Sequence, residues 1–262
     1  MTDTFLEKII AKTREKVERT RSLGYADSVK QRAEMVRSSK QAYRLHAALS
    51  RTNRTNIIAE IKRASPSKGV INAGINVAHV ARGYAVGGAA AISVLTESEY
   101  FAGEIADLVL AAKTVEIPVL RKDFTVDTYQ IYEAAAAGAD AVLLIVAALT
   151  EAELVEFSRI VDSLGMDALV EVHTGEELKI AKDLGAKIIG VNNRNLQTLE
   201  VSLDVSRQLI LERTVDTLMI AESGLSTKEQ IDELKALGFN GFLIGETLMR
   251  TGDAAATLGG WV

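Results

Sequence analysis

The chain has 262 residues, 48% of them hydrophobic and 25% charged, which is enough apolar sequence for one large core of the size common in α/β barrels. A net charge of -5 gives no overall electrostatic case for binding nucleic acid or an acidic membrane, although a local basic cluster can still hold a small anion. Cysteine is absent, which excludes disulfides and thiolate metal sites, and the three histidines, His46, His79 and His173, lack zinc-type spacing and read as structural or exposed.

The N-terminal stretch mixes charged and apolar residues without an unbroken apolar run. It therefore reads as neither a signal peptide nor a membrane span, and the cytoplasm is the expected location. Thr4 and Glu7 have capping-box spacing, and Phe5, Leu6, Ile9, Ile10 and Val17 recur at helical intervals up to Gly24. Two weaker helical stretches follow at 27–36 and 40–49. Residues 1–55 thus form a helical extension, expected to cap a barrel end within a single domain over 1–262; the amphipathic pattern also fits a partner-binding face.

From Asn56 onward strands alternate with helices. Short apolar runs predict strands at 57–62, 90–95, 119–122, 141–146, 168–173, 188–192, 218–222 and 241–244. Helical patterns lie at 76–86, 104–113, 128–137, 151–164, 176–184, 203–211 and 228–237, with a short last helix at 253–258. One phrase, a glycine that ends a helix followed by an apolar run, recurs as GGAAAISVL, AGADAVLLI, LGAKIIGV and LGFNGFLIG. Eight such units predict an α/β fold of the (β/α)8 TIM-barrel class. An open doubly wound sheet is the alternative, but no G-x-G-x-x-G follows the first strand.

In a barrel, polar residues at the C-terminal ends of strands gather at one mouth. Here those residues are Glu60 and Lys62 on strand one, Lys122 on strand three and Glu171 on strand five. Asn192 and Arg194 follow on strand six, Glu222, Ser223 and Gly224 on strand seven, and Gly245 on strand eight. Side chains alternate with period two, so Glu60 shares a face with Lys62 and Ile58, Lys122 with Leu120, Glu171 with Leu169, and Glu222 with Ile220. An isolated Glu-x-Lys on a strand is ordinarily an ion pair; inside a barrel, four charged strand ends must pair with one another or with ligand. Ser223, Gly224 and Gly245 fit a phosphate cup made of backbone N–H groups, and Glu246, next in line, must then turn its side chain away. Two lysines among glutamates suit acid–base chemistry on a small phosphorylated molecule, with a lysine Schiff base as the rival use of Lys122.

Seven segments in order carry a resemblance: EIKRASPSKG at 60–69, SVLTExxYFxG at 93–103, LRKDF at 120–124, LLIV at 143–146, LVEVH at 169–173, GVNNRNL at 190–196 and AESG at 221–224. Together they resemble the indole-3-glycerol phosphate synthase family over nearly the whole chain. The resemblance implies a cofactor-free lyase of tryptophan biosynthesis. Such an enzyme closes the ring of 1-(2-carboxyphenylamino)-1-deoxyribulose 5-phosphate, then releases carbon dioxide and water. It implies that Lys122 is the general acid and Glu171 an acid–base group. Lys62 becomes a substrate-binding lysine oriented by Glu60, while Asn192 and Glu222 stand near the reacting hydroxyls. Ser65 and Arg194 contact the substrate's anionic groups, and Phe101, Phe124 and Leu143 form a wall against the anthranilate ring. Ser223, Gly224 and Gly245 hold phosphate; where some members have serine, this chain has Glu246, and a side-chain phosphate contact is not expected there. Neighbouring cations are expected to lower the proton affinity of Lys122. The expected partner is a phosphorylated small molecule, with no nucleic acid, membrane, metal or organic cofactor, bound by a monofunctional monomer. A related phosphosugar barrel, such as phosphoribosylanthranilate isomerase, and a non-catalytic binding barrel are the alternatives.

Overall fold

In the computed structural model, which describes residues 4–66 and 68–262, the eight apolar runs become eight parallel strands that close on themselves. They are β1 (Ile57–Ile61), β2 (Ala91–Leu95), β3 (Val119–Lys122), β4 (Ala141–Ile145), β5 (Asp167–Val172), β6 (Ile188–Asn192), β7 (Leu218–Glu222) and β8 (Gly241–Ile244). Each strand pairs with the next in chain order, and β1 closes the ring on β8 with Ile58 opposite Leu243. Residues 1–3 and Ser67 lie outside the described residues.

Strand alternation separates two apolar layers. Ile58, Leu120, Leu143, Leu169, Ile220 and Leu243 pack together inside the barrel. Their outward neighbours, among them Ile57, Val119, Leu144, Val170, Met219 and Phe242, pack against the surrounding helices. Both faces of each strand are therefore covered, as a parallel sheet requires. The parity read from sequence holds: Ile58, Leu120, Leu169 and Ile220 all belong to the interior layer, which places Glu60, Lys122, Glu171 and Glu222 on its continuation toward the mouth.

Several boundaries differ from the sequence expectation, each for a local reason. The first helix, α1 (Phe5–Arg21), begins at the Thr4–Glu7 capping box but ends three residues before Gly24. After α2 (Ala26–Ser38), the helix expected from residue 40 starts only at α3 (Arg44–Leu49). Tyr43 stands at φ 54 and donates its N–H to Gly165 O at 3.0 Å, so the preceding residues are tied to the barrel instead of coiling. After β1, Ala64–Ser65 pairs antiparallel with Gly69–Val70. The helix over 203–211 is α-helical only at Asp204–Leu209 and tightens to a 3-10 turn at Ile210–Glu212. A short helix, Glu246–Arg250, follows Gly245 directly and was not expected.

The N-terminal extension runs along the barrel as well as under it. Leu45 and Leu49 of α3 join the interior apolar layer from below. Asp167, at the start of β5, accepts the backbone N–H groups of Leu45 (2.9 Å) and His46 (3.1 Å). Buried Arg37 of α2 donates to the carbonyls of Leu164 and Gly165, and with Lys40 and Arg44 surrounds the buried Asp140 carboxylate. At the other end of the extension, Phe5 meets Tyr100 edge-on with ring centroids 5.1 Å apart, beside the mouth. Among the described residues, no helix is long and apolar enough to cross a membrane.

Candidate active site

At the C-terminal ends of the strands, a cleft opens between the strand ends and the loops. All fifteen residues singled out from sequence line it: Glu60, Lys62, Ser65, Phe101, Lys122, Phe124, Leu143, Glu171, Asn192, Arg194, Glu222, Ser223, Gly224, Gly245 and Glu246. Its floor is charged and its upper wall is apolar, which suits a ligand with an aromatic ring and ionised groups.

The floor is built from two lysine–carboxylate groups. Lys122 Nζ donates to Glu171 Oε2 at 2.7 Å and to Glu222 Oε2 at 2.6 Å. Lys62 Nζ donates to Glu60 Oε1 at 2.8 Å. Asn192 Nδ2 reaches the second oxygen of Glu171 at 3.0 Å, while its Oδ1 accepts the Arg194 N–H at 3.0 Å. Behind the floor, Arg121 points outward and is held by Asp123 (3.0 Å), Glu133 (2.8 Å) and Thr96 (3.0 Å). That anchors the end of β3 and leaves its neighbour Lys122 facing inward.

These contacts set the charge states and correct one expectation. Burial alone would lower the proton affinity of Lys122, but Glu171, Glu222 and Glu60 outweigh it, so the lysine is held well above its ordinary value. The groups nearest its ammonium are carboxylates, not the cations foreseen from sequence. The two carboxylates on Lys122 part ways. Burial would raise Glu171, yet Lys122 and His173 pull it below the usual carboxylate range. For Glu222, burial and the charge of Glu171 prevail over Lys122 and push it up to about 7. The two carboxylates on Lys122 thus differ in their hold on a proton, Glu222 keeping it more readily than Glu171.

His173, read from sequence as structural or exposed, is neither remote nor free. Its Nδ1 lies 3.1 Å from Glu177 and its Nε2 3.3 Å from Glu171. Burial opposes its charging, but the two carboxylates push it up to about 9, so it supports Glu171 as a cation from behind. His79 is exposed and His46 lies on α3, away from the cleft.

The loops supply the remaining contacts. Ser65 Oγ is buried without a hydrogen-bond partner among the described residues, at the cleft wall. Phe101 and Phe124 pack at a tilt with centroids 6.5 Å apart, and Leu143 lines the same cleft. Glu97 shapes the Phe101 loop by accepting the backbone N–H groups of Glu99, Tyr100 and Phe101. Arg194 rests one guanidinium nitrogen on the Leu199 carbonyl at 2.9 Å. Ser223 and Gly224 both have positive φ, 67° and 79°, so the chain turns sharply as it leaves β7. Buried Asn193 fixes that turn by donating to the carbonyls of Glu222 and Ser223. Glu246 approaches Arg250 at 3.3 Å, which draws its carboxylate along its own helix.

Residues missed from sequence fall into recognisable kinds. Phe5 reaches the cleft from α1, more than fifty residues before the first strand. Glu97 and Asn193 stand inside quoted motifs, and their signal was a polar residue at a strand end. Among the described residues, no group of three or more His, Asp or Glu side chains is placed to hold a metal ion.

Comparison with known proteins gives a consistent result. The sequence model of a family described as indole-3-glycerol phosphate synthase matches residues 6–259. Indole-3-glycerol phosphate synthase of Lachnoclostridium phytofermentans is 46% identical over 258 residues, covering 95% of this chain and 95% of that protein. The protein of the same name from Carboxydothermus hydrogenoformans is 45% identical over 97% of this chain and 98% of its own length. Among solved structures, a thiamine phosphate pyrophosphorylase from Pyrococcus furiosus superposes with a TM-score of 0.59 at 16% identity, covering 82% of this chain and 94% of that one. At that identity the likeness shows the fold alone.

Proposed function

The chain belongs to the indole-3-glycerol phosphate synthase family, and from that membership we propose how its cleft divides the work of the reaction. The enzyme is a carboxy-lyase of tryptophan biosynthesis. It converts 1-(2-carboxyphenylamino)-1-deoxyribulose 5-phosphate into indole-3-glycerol phosphate by ring closure, decarboxylation and dehydration.

Ring closure requires the carboxylate-bearing ring carbon to meet the ribulose carbonyl, so the first task is to fold a flexible molecule. Ser223, Gly224 and Gly245 hold the phosphate through backbone N–H groups, with Glu246 directed away from it. Ser65, Lys62 and Arg194 take the substrate's anionic groups, and Phe101, Phe124 and Leu143 receive the aromatic ring. Glu60 orients Lys62.

Lys122 then protonates the carbonyl oxygen as the carbon–carbon bond forms. Its raised proton affinity keeps it charged in the resting enzyme, and the attacked oxygen becomes basic enough to take the proton only as the bond forms. The ring cation that results accepts the electron pair released when carbon dioxide leaves, so decarboxylation needs little from the protein. In dehydration the new hydroxyl departs and the adjacent carbon loses a proton. Glu171, held ionised, is the acid–base group for these later steps. Asn192 and Glu222 contact the reacting hydroxyls, and protonated Glu222, 2.6 Å from Lys122, is placed to return a proton to it.

The observation that carries this reading is Lys122 between two carboxylates of opposite tendency on the floor of a cleft whose wall is apolar. In the same reading residues 1–55 belong to one unit with the barrel. One chain supplies every group named, so the protein works as a monomer. It does so in the cytoplasm, where a doubly anionic substrate is retained. The test is turnover by the purified protein: indole fluorescence appears from the carboxyphenylamino substrate alone, and Lys122→Ala lowers kcat roughly 10²–10⁴-fold while substrate still binds. Folded protein that forms no product across a range of pH, or wild-type kcat in the variant, overturns the respective assignment.

A further inference from the structure

Gly190 stands on β6 facing the barrel interior, between Ile188 below and Asn192 above, and is paired across the ladder with Glu171 on one side and Ile220 on the other. Glycine in a strand interior has a cost: it packs nothing and loses the most backbone freedom on folding. Its usual justification is absent, since Gly190 is not among the positive-φ residues and its backbone is one any residue adopts. What the position cannot accept is volume. A Cβ built there would overlap Glu222 Oε1, lie 3.1 Å from Glu222 Cδ and stand 3.3 Å from Leu169 Cδ1.

We propose that Gly190 is a positioning residue for the reaction: the missing side chain is the slot in which the Glu222 carboxylate lies against the β6 backbone while its other oxygen accepts from Lys122. The inference rests on the role given to Glu222 above. The two oxygens of Glu222 are accordingly unlike. Oε2 takes the Lys122 ammonium at 2.6 Å, whereas Oε1 is buried without a hydrogen-bond partner among the described residues, over Gly190. An oxygen given no donor is poorly stabilised as an anion and suits the neutral acid. The slot therefore sets both the reach of Glu222 to Lys122 and its readiness to hold a proton. β7 carries the glutamate, but β6 decides where its carboxylate rests.

An alanine at 190 displaces the carboxylate by on the order of 1 Å, since carbon and oxygen do not approach within the overlap it creates. Misplacement of that size costs a reaction roughly 100-fold. The test is a double-mutant cycle with Gly190→Ala, Glu222→Ala and both, read by steady-state kinetics over pH and by thermal unfolding. The expected result is a kcat lowered roughly 100-fold in Gly190→Ala, a KM changed far less, and a pH inflection moved from that of the wild type. In the Glu222→Ala background the same glycine substitution should cost almost nothing further, because the group it displaces is gone. Equal losses in both backgrounds, or wild-type kinetics in Gly190→Ala, overturn the inference. Wild-type kinetics in Glu222→Ala overturns instead the role of Glu222 on which it rests. If Gly190→Ala fails to fold, the double variant decides: recovery of folding once Glu222 is truncated supports the slot, and continued failure refutes it.

Discussion

Replacing His173 with glutamine tests whether the group behind Glu171 is charged. The imidazole is mostly buried between Glu171 and Glu177, and they push it up to about 9 from 6.5 despite burial. A group whose folded value is raised contributes stability that is fully present below its unfolded value, here 6.5, and lost as pH rises through its folded value, here about 9. The interval corresponds to about 3 kcal/mol. Urea unfolding followed by circular dichroism from about pH 6 to about pH 10 measures it. The wild type should lose about 3 kcal/mol of stability relative to His173→Gln across that range. Glu222 enters both curves and cancels in the difference. Parallel curves would refute the reasoning, because an imidazole without a raised proton affinity has nothing to lose between those limits.

Three further outcomes follow from the same geometry. Glu222→Gln should remove the pH–rate inflection near 7 set by Glu222, and the wild type should lose stability relative to this variant as pH rises from 4.5 through about 7; an inflection that survives assigns it to another group. Ser65→Ala removes a hydroxyl that has no hydrogen-bond partner among the described residues, so thermal stability should hold while KM rises about tenfold; an unchanged KM means that the hydroxyl does not meet substrate. Glu246→Ala removes a carboxylate drawn to Arg250 in a partly exposed pair, so KM should stay within about twofold; a large fall in KM would show that it opposes the phosphate.

The inward faces of the strands were legible because period-two alternation is local. Ile58, Leu120, Leu169 and Ile220 each predict the direction of a charged residue two positions on, and each lies in the interior layer. The barrel mouth was legible from the polar residues at the C-terminal ends of the strands. The proton affinity of Lys122 was not: it depends on which side chains from β5 and β7 come within 3 Å, and sequence spacing is silent on that. His173 escaped for a similar reason, since its partner Glu177 stands on the following helix and its other partner two residues back along β5. Phe5 escaped because nothing in an amphipathic helix states which end of a barrel it will reach.

The sequence by itself determined the alternating strands and helices, the polar strand ends and the seven motifs that carry the family resemblance. All of these rest on residues close in the chain. Only the tertiary structure decided how charge is shared over the floor: Lys122 between unequal carboxylates, His173 behind one of them, and Gly190 making room for the other. Those relations join different strands, and in a buried site a few tenths of an ångström and the presence or absence of one donor set the charge each group carries.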